Sequence, residues 1–199
     1  GIISLIQPYI ENNIILNLVE GFIKITAFLS YLYFISKIND IKRVFMYHGA
    51  EHKVIYTYEN GLKLTPENAR QFSTLHPRCG TNFLFIVILL SIFFFSFFGR
   101  PPLLLRVFYH LLLLPVIAGT SYEIIKLAGR NTVNPVIKAI ATPGLYLQKL
   151  TTNEPDDSML EVAITALKAV LSEKDRKKTE EAVNELENDN EQNVKVNNI

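Results

Sequence analysis

Residues Asn82 to Phe98 read NFLFIVILLSIFFFSFF, a run without a charge in which Ser91 and Ser96 are the only polar interior positions. A bilayer-spanning helix takes about 17 to 25 apolar residues, so this stretch is expected to cross a membrane. Downstream, the short turn Gly99-Arg100-Pro101-Pro102 leads into a second apolar segment, Leu103 to Leu127, broken by Arg106, His110 and Pro115 and ending with Glu123 and Lys126. Proline is tolerated in membrane helices where neighbours satisfy the freed carbonyl, so this too reads as a span. Upstream, Ile14 to Ile35 carries Glu20 and Lys24 at the i, i+4 spacing that lets one helix neutralise the pair. It reads as the first of three spans, near 14–36, 82–98 and 103–127, with an interfacial amphipathic helix as its alternative.

Bulk composition conceals this segregation. A chain of 199 residues, 49% hydrophobic and with a formal charge of +1, has a mean hydropathy of only +0.19 and resembles one ordinary domain. Up to Asn153 it holds 14 Lys and Arg against seven acids, a net of +7; beyond Asn153, six bases face 12 acids, a net of −6. The basic residues are scattered among apolar stretches instead of forming a stripe with interleaved aromatics, so no nucleic-acid partner is expected. A single cysteine, Cys79, excludes an intrachain disulfide scaffold and fits a reducing compartment. The chain opens at Gly1 and is read as lacking an upstream part. Its first basic residue, Lys24, lies inside an apolar segment, which does not describe a cleavable signal peptide.

Lysine and arginine placement sets the expected orientation, because short loops rich in them stay cytoplasmic. Seven of them lie between Lys37 and Arg78, against Arg100 alone between the second and third spans. Residues 37–81 and everything after Leu127 are therefore expected on the cytoplasmic side. Within 37–81, a helix is expected from about Ile41 to Tyr58, weakened by Gly49 and the Val54-Ile55 pair. Thr65-Pro66-Glu67 reads as the start of a short helix running towards Leu75, with Pro77 as its stop. Thr142-Pro143-Gly144 reads as a break, followed by Leu145 to Leu150 lying at the membrane surface. Ser158-Met159-Leu160-Glu161 has the form of a capping box ahead of an apolar face of Leu160, Ile164, Leu167 and Leu171, which needs a partner surface. The resulting organisation is a membrane domain over 1–153, an amphipathic and charged helical tail over 154–187, and disorder over 188–199.

Three of the four histidines and the cysteine fall between His48 and Cys79. His48-Gly49-Ala50-Glu51-His52 is H-x-x-E-H, the inverted zinc-hydrolase motif. On a helix the two imidazoles project from one face and can share a Zn2+ at about 2.0 to 2.1 Å, with Glu51 beside them as the candidate general base. His76-Pro77-Arg78-Cys79 adds a second imidazole and a thiol on a turn, with Arg78 as a candidate clamp for an anionic substrate. His48, His52 and His76 with a water would make a catalytic site, and Cys79 in the fourth position a structural one; the motif fits either. Glu123 is a candidate distant carboxylate ligand, with Lys53, Arg78 and Lys126 as its competing ion-pair partners. His110, among leucines, reads as an interhelical hydrogen bonder. Tyr47, Tyr56 and Tyr58 read as an interfacial belt, and Phe93-Phe94-Phe95 as lipid-facing or packing surface.

The strings Phe45-Met46-Tyr47-His48-Gly49-Ala50-Glu51-His52-Lys53, Leu75-His76-Pro77-Arg78-Cys79-Gly80-Thr81, Ser121 to Arg130, Thr142-Pro143-Gly144-Leu145 and Glu154-Pro155-Asp156-Asp157 occur in this order in the YqhQ-like family, which this chain resembles from about Glu20 to Leu171. The family's amino-terminal Gly-Gly-Gln-Ala-Val-Ile-Glu-Gly-type motif has no counterpart here. The resemblance implies a bacterial integral membrane protein of a family described as predicted metal-dependent enzymes. It makes His48, Glu51, His52, His76, Cys79 and Glu123 the motif positions to test.

The expectation is thus an all-α integral protein of the cell membrane with about three transmembrane helices and a cytoplasmic helical tail. Its expected activity is metal-dependent, probably zinc-based hydrolysis in the sense of the motif, on a membrane-associated substrate. The alternative is a non-catalytic adaptor or regulator whose acidic tail binds a protein partner and whose His/Cys cluster is structural. A homo-oligomer is compatible with either, and three spans with few intramembrane charges argue against a transporter.

Overall fold

The computed structural model describes residues 9–10, 12–98, 101–130 and 134–171. The expected disorder over 188–199 and the charged part of the tail lie outside these residues. Every extended element among them is a helix: α1 Asn13–Ile35, α2 Asn39–Glu59, α3 Pro66–Arg70, α4 Gly80–Ser96, α5 Leu103–Ala128, α6 Pro135–Thr151 and α7 Asp157–Val170. They form two compact units, one from the described residues of Gly1–Lys37 and His76–Thr151, the other from those of Ile38–Leu75 and Thr152–Ile199.

In the first unit α1, α5 and α6 pack against α4. Leu32, Phe85 and Leu147 form its buried cluster, with Phe28, Leu29 and Leu89 packed around them. Gly21 permits the close approach of α1 to α4, since a Cβ there would lie 2.6 Å from an Ile92 methyl. Two helices, α1 with 23 residues and α5 with 26, are long and apolar enough to cross a membrane; α4 is a shorter apolar helix of 17 residues. Much of their apolar surface faces outward, with Phe22, Leu104, Leu111 and Leu112 all exposed. α4 begins two residues before the expected Asn82 because Cys79 caps it, the sulfur accepting from the Thr81 N–H.

The expected break at Thr142-Pro143-Gly144 is absent: α6 runs unbroken through Pro143. A proline inside a helix costs about 3 kcal/mol. Here Ala141, Gly144, Leu147, Gln148 and Thr151 recur at helical spacing and are all buried, and that packed face offsets the cost. Leu145 to Leu150 is therefore part of a packed helix and not a separate surface segment.

The second unit is built from α2, α3 and α7. Ala50, Val54, Ala69, Met159, Leu160, Ala163 and Ile164 form its core. The apolar face of α7 thus finds the surface it needs on α2 and α3 of the same chain. Asp156, not Ser158, is its N-cap: the carboxylate accepts from Met159 N at 3.0 Å and from the Ser158 hydroxyl at 2.6 Å. Asp156 has extended backbone, as a cap requires, whereas Ser158 is already inside the helix. Thr65 caps α3 as expected, but α3 ends at Arg70. Arg70 turns instead to Asp157, with Nε at 2.7 Å from Oδ1 and a second contact from its terminal nitrogen to Oδ2.

Helix α2 continues through Gly49, and the reason for glycine is packing. Asn153 donates its N–H to Phe45 O at 2.9 Å. This lays the chain so closely over α2 that a Cβ at Gly49 would sit 2.2 Å from Asn153 O. Lys53 is 3% exposed, yet its ammonium donates to Arg70 O at 3.0 Å and Phe72 O at 2.7 Å and pairs with Glu154 at 2.7 Å.

Three outcomes follow from this packing. Gly49→Ala is expected to destabilise the unit, although alanine favours an exposed helix by about 1 kcal/mol, because Asn153 O is backbone and must move; a thermal melt reads the sign. Leu160→Ala should cost about 2 to 5 kcal/mol in denaturant unfolding. The Ser158 hydroxyl, and then the Met159 N–H, hold the Asp156 carboxyl below its ordinary 3.8. Its contribution is therefore present above the ordinary carboxylate range and is lost as pH falls through the lowered value. Hydrogen exchange of α7 amides, corrected for intrinsic rates, should loosen on acidification, and Asp156→Asn should reduce that dependence.

Candidate functional site

His48 and His52 lie one turn apart on α2, their ring centroids separated by 4.4 Å at 63°. His52 is 7% exposed, and its Nδ1 lies 2.5 Å from Thr74 O. A carbonyl only accepts, so Nδ1 carries the proton and the neutral ring presents the lone pair of Nε2. This is the arrangement of metal-ligating histidines, which donate their second N–H to a fixed oxygen that sets tautomer and ring orientation. Glu51 is exposed on the same helix. The spacing thus delivers the two imidazoles to one place within the second unit.

His76, Arg78, Cys79 and Glu123 belong to the first unit. His76 is buried, and Gln148 clamps its backbone from both sides: His76 N–H donates to Oε1 and Nε2 donates to His76 O, each at 2.8 Å. The ring Nδ1 accepts from Arg78 N–H at 3.2 Å, leaving Nε2 to carry the proton of the neutral ring. That tautomer makes His76 a donor, in contrast to His52. Cys79 is buried and shares a 3.0 Å hydrogen bond with the Thr81 hydroxyl. Asn82, fully buried, donates to Pro77 O at 2.9 Å and sets its Oδ1 against Gly144, where a Cβ would collide with it at 1.8 Å. The Arg78 stem lies against Gly129 in the same way, within 2.9 Å of where a Cβ would be. Glu123 is exposed and pairs with Lys126 at 3.2 Å. The lysine expected among its partners, Lys53, is engaged by Glu154.

Sequence reasoning missed Thr74, Gln148 and Asn82, which position these side chains. Asn82 had been counted as the first residue of an apolar run, and Gln148 was passed over within an apolar segment. A buried amide at each of these positions was the available signal, since it must bind something. His110 makes its hydrogen bond within its own helix, Nδ1 to Arg106 O at 2.8 Å, and reaches α4 by stacking on Phe95 at 3.8 Å. Tyr56 donates to Leu75 O and stacks on Phe72, so it is a packing residue of the second unit.

A family model described as "Protein of unknown function (DUF1385)" matches residues 2–173. The chain is 41% identical over 168 residues to "Uncharacterized protein YqhQ" of Bacillus subtilis (strain 168), covering 84% of this chain and 53% of that protein. It therefore spans about half the length of the curated relative it matches. No solved structure matches it. Neither description names an activity or a metal, so the chemistry stands on the residues. The YqhQ resemblance of the sequence motifs is borne out, and the chain belongs to the DUF1385 family.

Proposed function

We propose that this chain is the membrane-embedded part of a metal-dependent enzyme, with His48 and His52 as the core of a divalent metal site of the zinc class. The observation that carries the reading is the His52 Nδ1 bond to Thr74 O beside the His48 ring. Two neutral imidazoles suit zinc and its first-row neighbours and do not suit calcium or magnesium. Cys79 is the proposed further ligand: it follows Thr74 by five residues in the chain, and a thiolate completes a nitrogen and sulfur donor set. His76, whose Nδ1 is already engaged, orients the turn that carries Cys79. Glu123 remains a candidate carboxylate only if its pairing with Lys126 is given up.

A bound cation would supply Lewis acidity towards a carbonyl or phosphoryl oxygen of the substrate. Glu51, next to His52 in sequence and exposed, is the group proposed to accept a proton during hydrolysis. Arg78 is proposed to meet an anionic substrate group. The membrane reading is supported by the length and outward apolar surface of α1 and α5, of which only 11% and 6% of the apolar windows are buried. A core helix of a soluble protein would be mostly covered. With α4 as a third span, the excess of Lys and Arg in 37–81 puts the His/Cys motifs on the cytoplasmic side.

Elemental analysis of the full-length protein, purified in mild detergent without chelator, tests the metal. About one zinc-class ion per chain is expected. It should be lost in the His48→Ala, His52→Ala double variant and retained in Glu51→Gln. Substoichiometric metal in the wild type, or unchanged occupancy in the double variant, would overturn the proposal. In cells, Glu51→Gln is expected to abolish function at normal protein level; an adaptor would tolerate it.

A further inference from the structure

The first unit contains a second polar constellation, which the proposed metal chemistry does not use. A cavity of about 480 Å3 is lined by residues of α1, α4 and α5, including Asn17, Glu20, Lys24, Ser91, Arg106 and His110. Along α4 it lies at the end opposite Cys79: sixteen residues separate Cys79 from Phe95, about 24 Å at ~1.5 Å per residue. We propose that this cavity binds the phosphate headgroup of an anionic membrane lipid.

Charge argues for an anion. Glu20 and Lys24 pair with each other at 3.0 Å. Arg106 is half-buried and has no ion-pair partner among the described residues. A guanidinium among apolar helices is costly unless an anion meets it, and its planar donors match phosphate oxygens in pairs. His110 contributes a second polar group of defined state. Its Nδ1 donates to Arg106 O at 2.8 Å, and the ring is held flat on Phe95 at 3.8 Å and 12°. Nε2 is therefore a lone-pair acceptor suited to a headgroup hydroxyl or a protonated phosphate oxygen. Asn17 is fixed by its own bond to Phe95 O at 3.2 Å.

The remaining walls argue for a lipid over free phosphate. Ile88, Ile92, Phe98 and Tyr109 line the same cavity, and an ion in water would gain nothing from them. An acyl chain would lie against these residues while its phosphate meets Arg106, the division of labour of an apolar pocket with a few placed polar groups. This inference rests on the membrane reading above but not on the metal site.

Native mass spectrometry of the full chain, released from micelles doped with dioleoyl phosphatidylglycerol or with phosphatidylcholine, tests it. One phosphatidylglycerol per chain should be retained in preference to phosphatidylcholine. Arg106→Gln should lower retention about tenfold, as expected for losing a charge-assisted hydrogen-bonded pair, and Arg106→Lys should restore part of it. Ser91→Phe, which fills the cavity without changing charge, should also abolish retention, so the result does not depend on one variant folding. Arg130→Gln, at the far end of α5, should leave it unchanged. Equal retention in wild type, Arg106→Gln and Ser91→Phe would mean annular lipid only and overturn the proposal. So would stabilisation by inorganic phosphate with no preference for phosphatidylglycerol. Because the readout is lipid mass, loss of metal in the earlier experiment would not affect it.

Discussion

Between the end of α3 and the start of α4 the backbone leaves helical structure, and its carbonyls need donors that no ladder supplies. Side chains supply them nearly one by one. Lys53 takes Arg70 O and Phe72 O, His52 takes Thr74 O, and Tyr56 takes Leu75 O, all within the second unit. In the first unit Gln148 takes His76 O and Asn82 takes Pro77 O. An unmet buried carbonyl costs about 1 to 3 kcal/mol, so this set decides whether the segment has one conformation or many. It also explains why His52 and Lys53 stand side by side on α2: the same turn of helix that offers imidazoles to a metal holds the loop in place.

Close approach is the second constraint, and glycine meets it in each unit. Gly49 lets the chain at Asn153 cross α2, Gly144 admits the Asn82 amide, Gly129 admits the Arg78 stem and Gly21 admits Ile92. Three of these lie in the motif strings around His48, Gly129 and Thr142 that mark the family resemblance. The motifs are therefore partly packing signatures. The glycine in H-G-A-E-H answers to the Asn153 carbonyl, independently of whatever the two histidines bind.

Much of the architecture was legible because hydrophobic runs and caps are local. The apolar runs became α1, α4 and α5, shifted by no more than a few residues at their ends, and Thr65 capped α3. What misled was also local reasoning. Pro143 looked like a stop because a single proline breaks an isolated helix, but five buried residues of α6 outweigh it. Ser158 looked like a cap because its spacing to Glu161 fits, but Asp156 reached the Met159 N–H first and took the serine hydroxyl as a donor.

The sequence by itself determined the helical class, the segregation of apolar from charged residues, and the i, i+4 placement of His48 and His52, since these follow from periodicity and composition along the chain. Tertiary structure decided the ring tautomers, the partners of Lys53, Glu123 and Gln148, and the fate of the α7 apolar face. Those depend on which groups meet across tens of residues: Thr74 O is 22 positions from His52 and Gln148 is 72 from His76. A proton on one ring nitrogen or the other is set by whether a carbonyl or an N–H arrives there, and no spacing within a motif encodes that arrival.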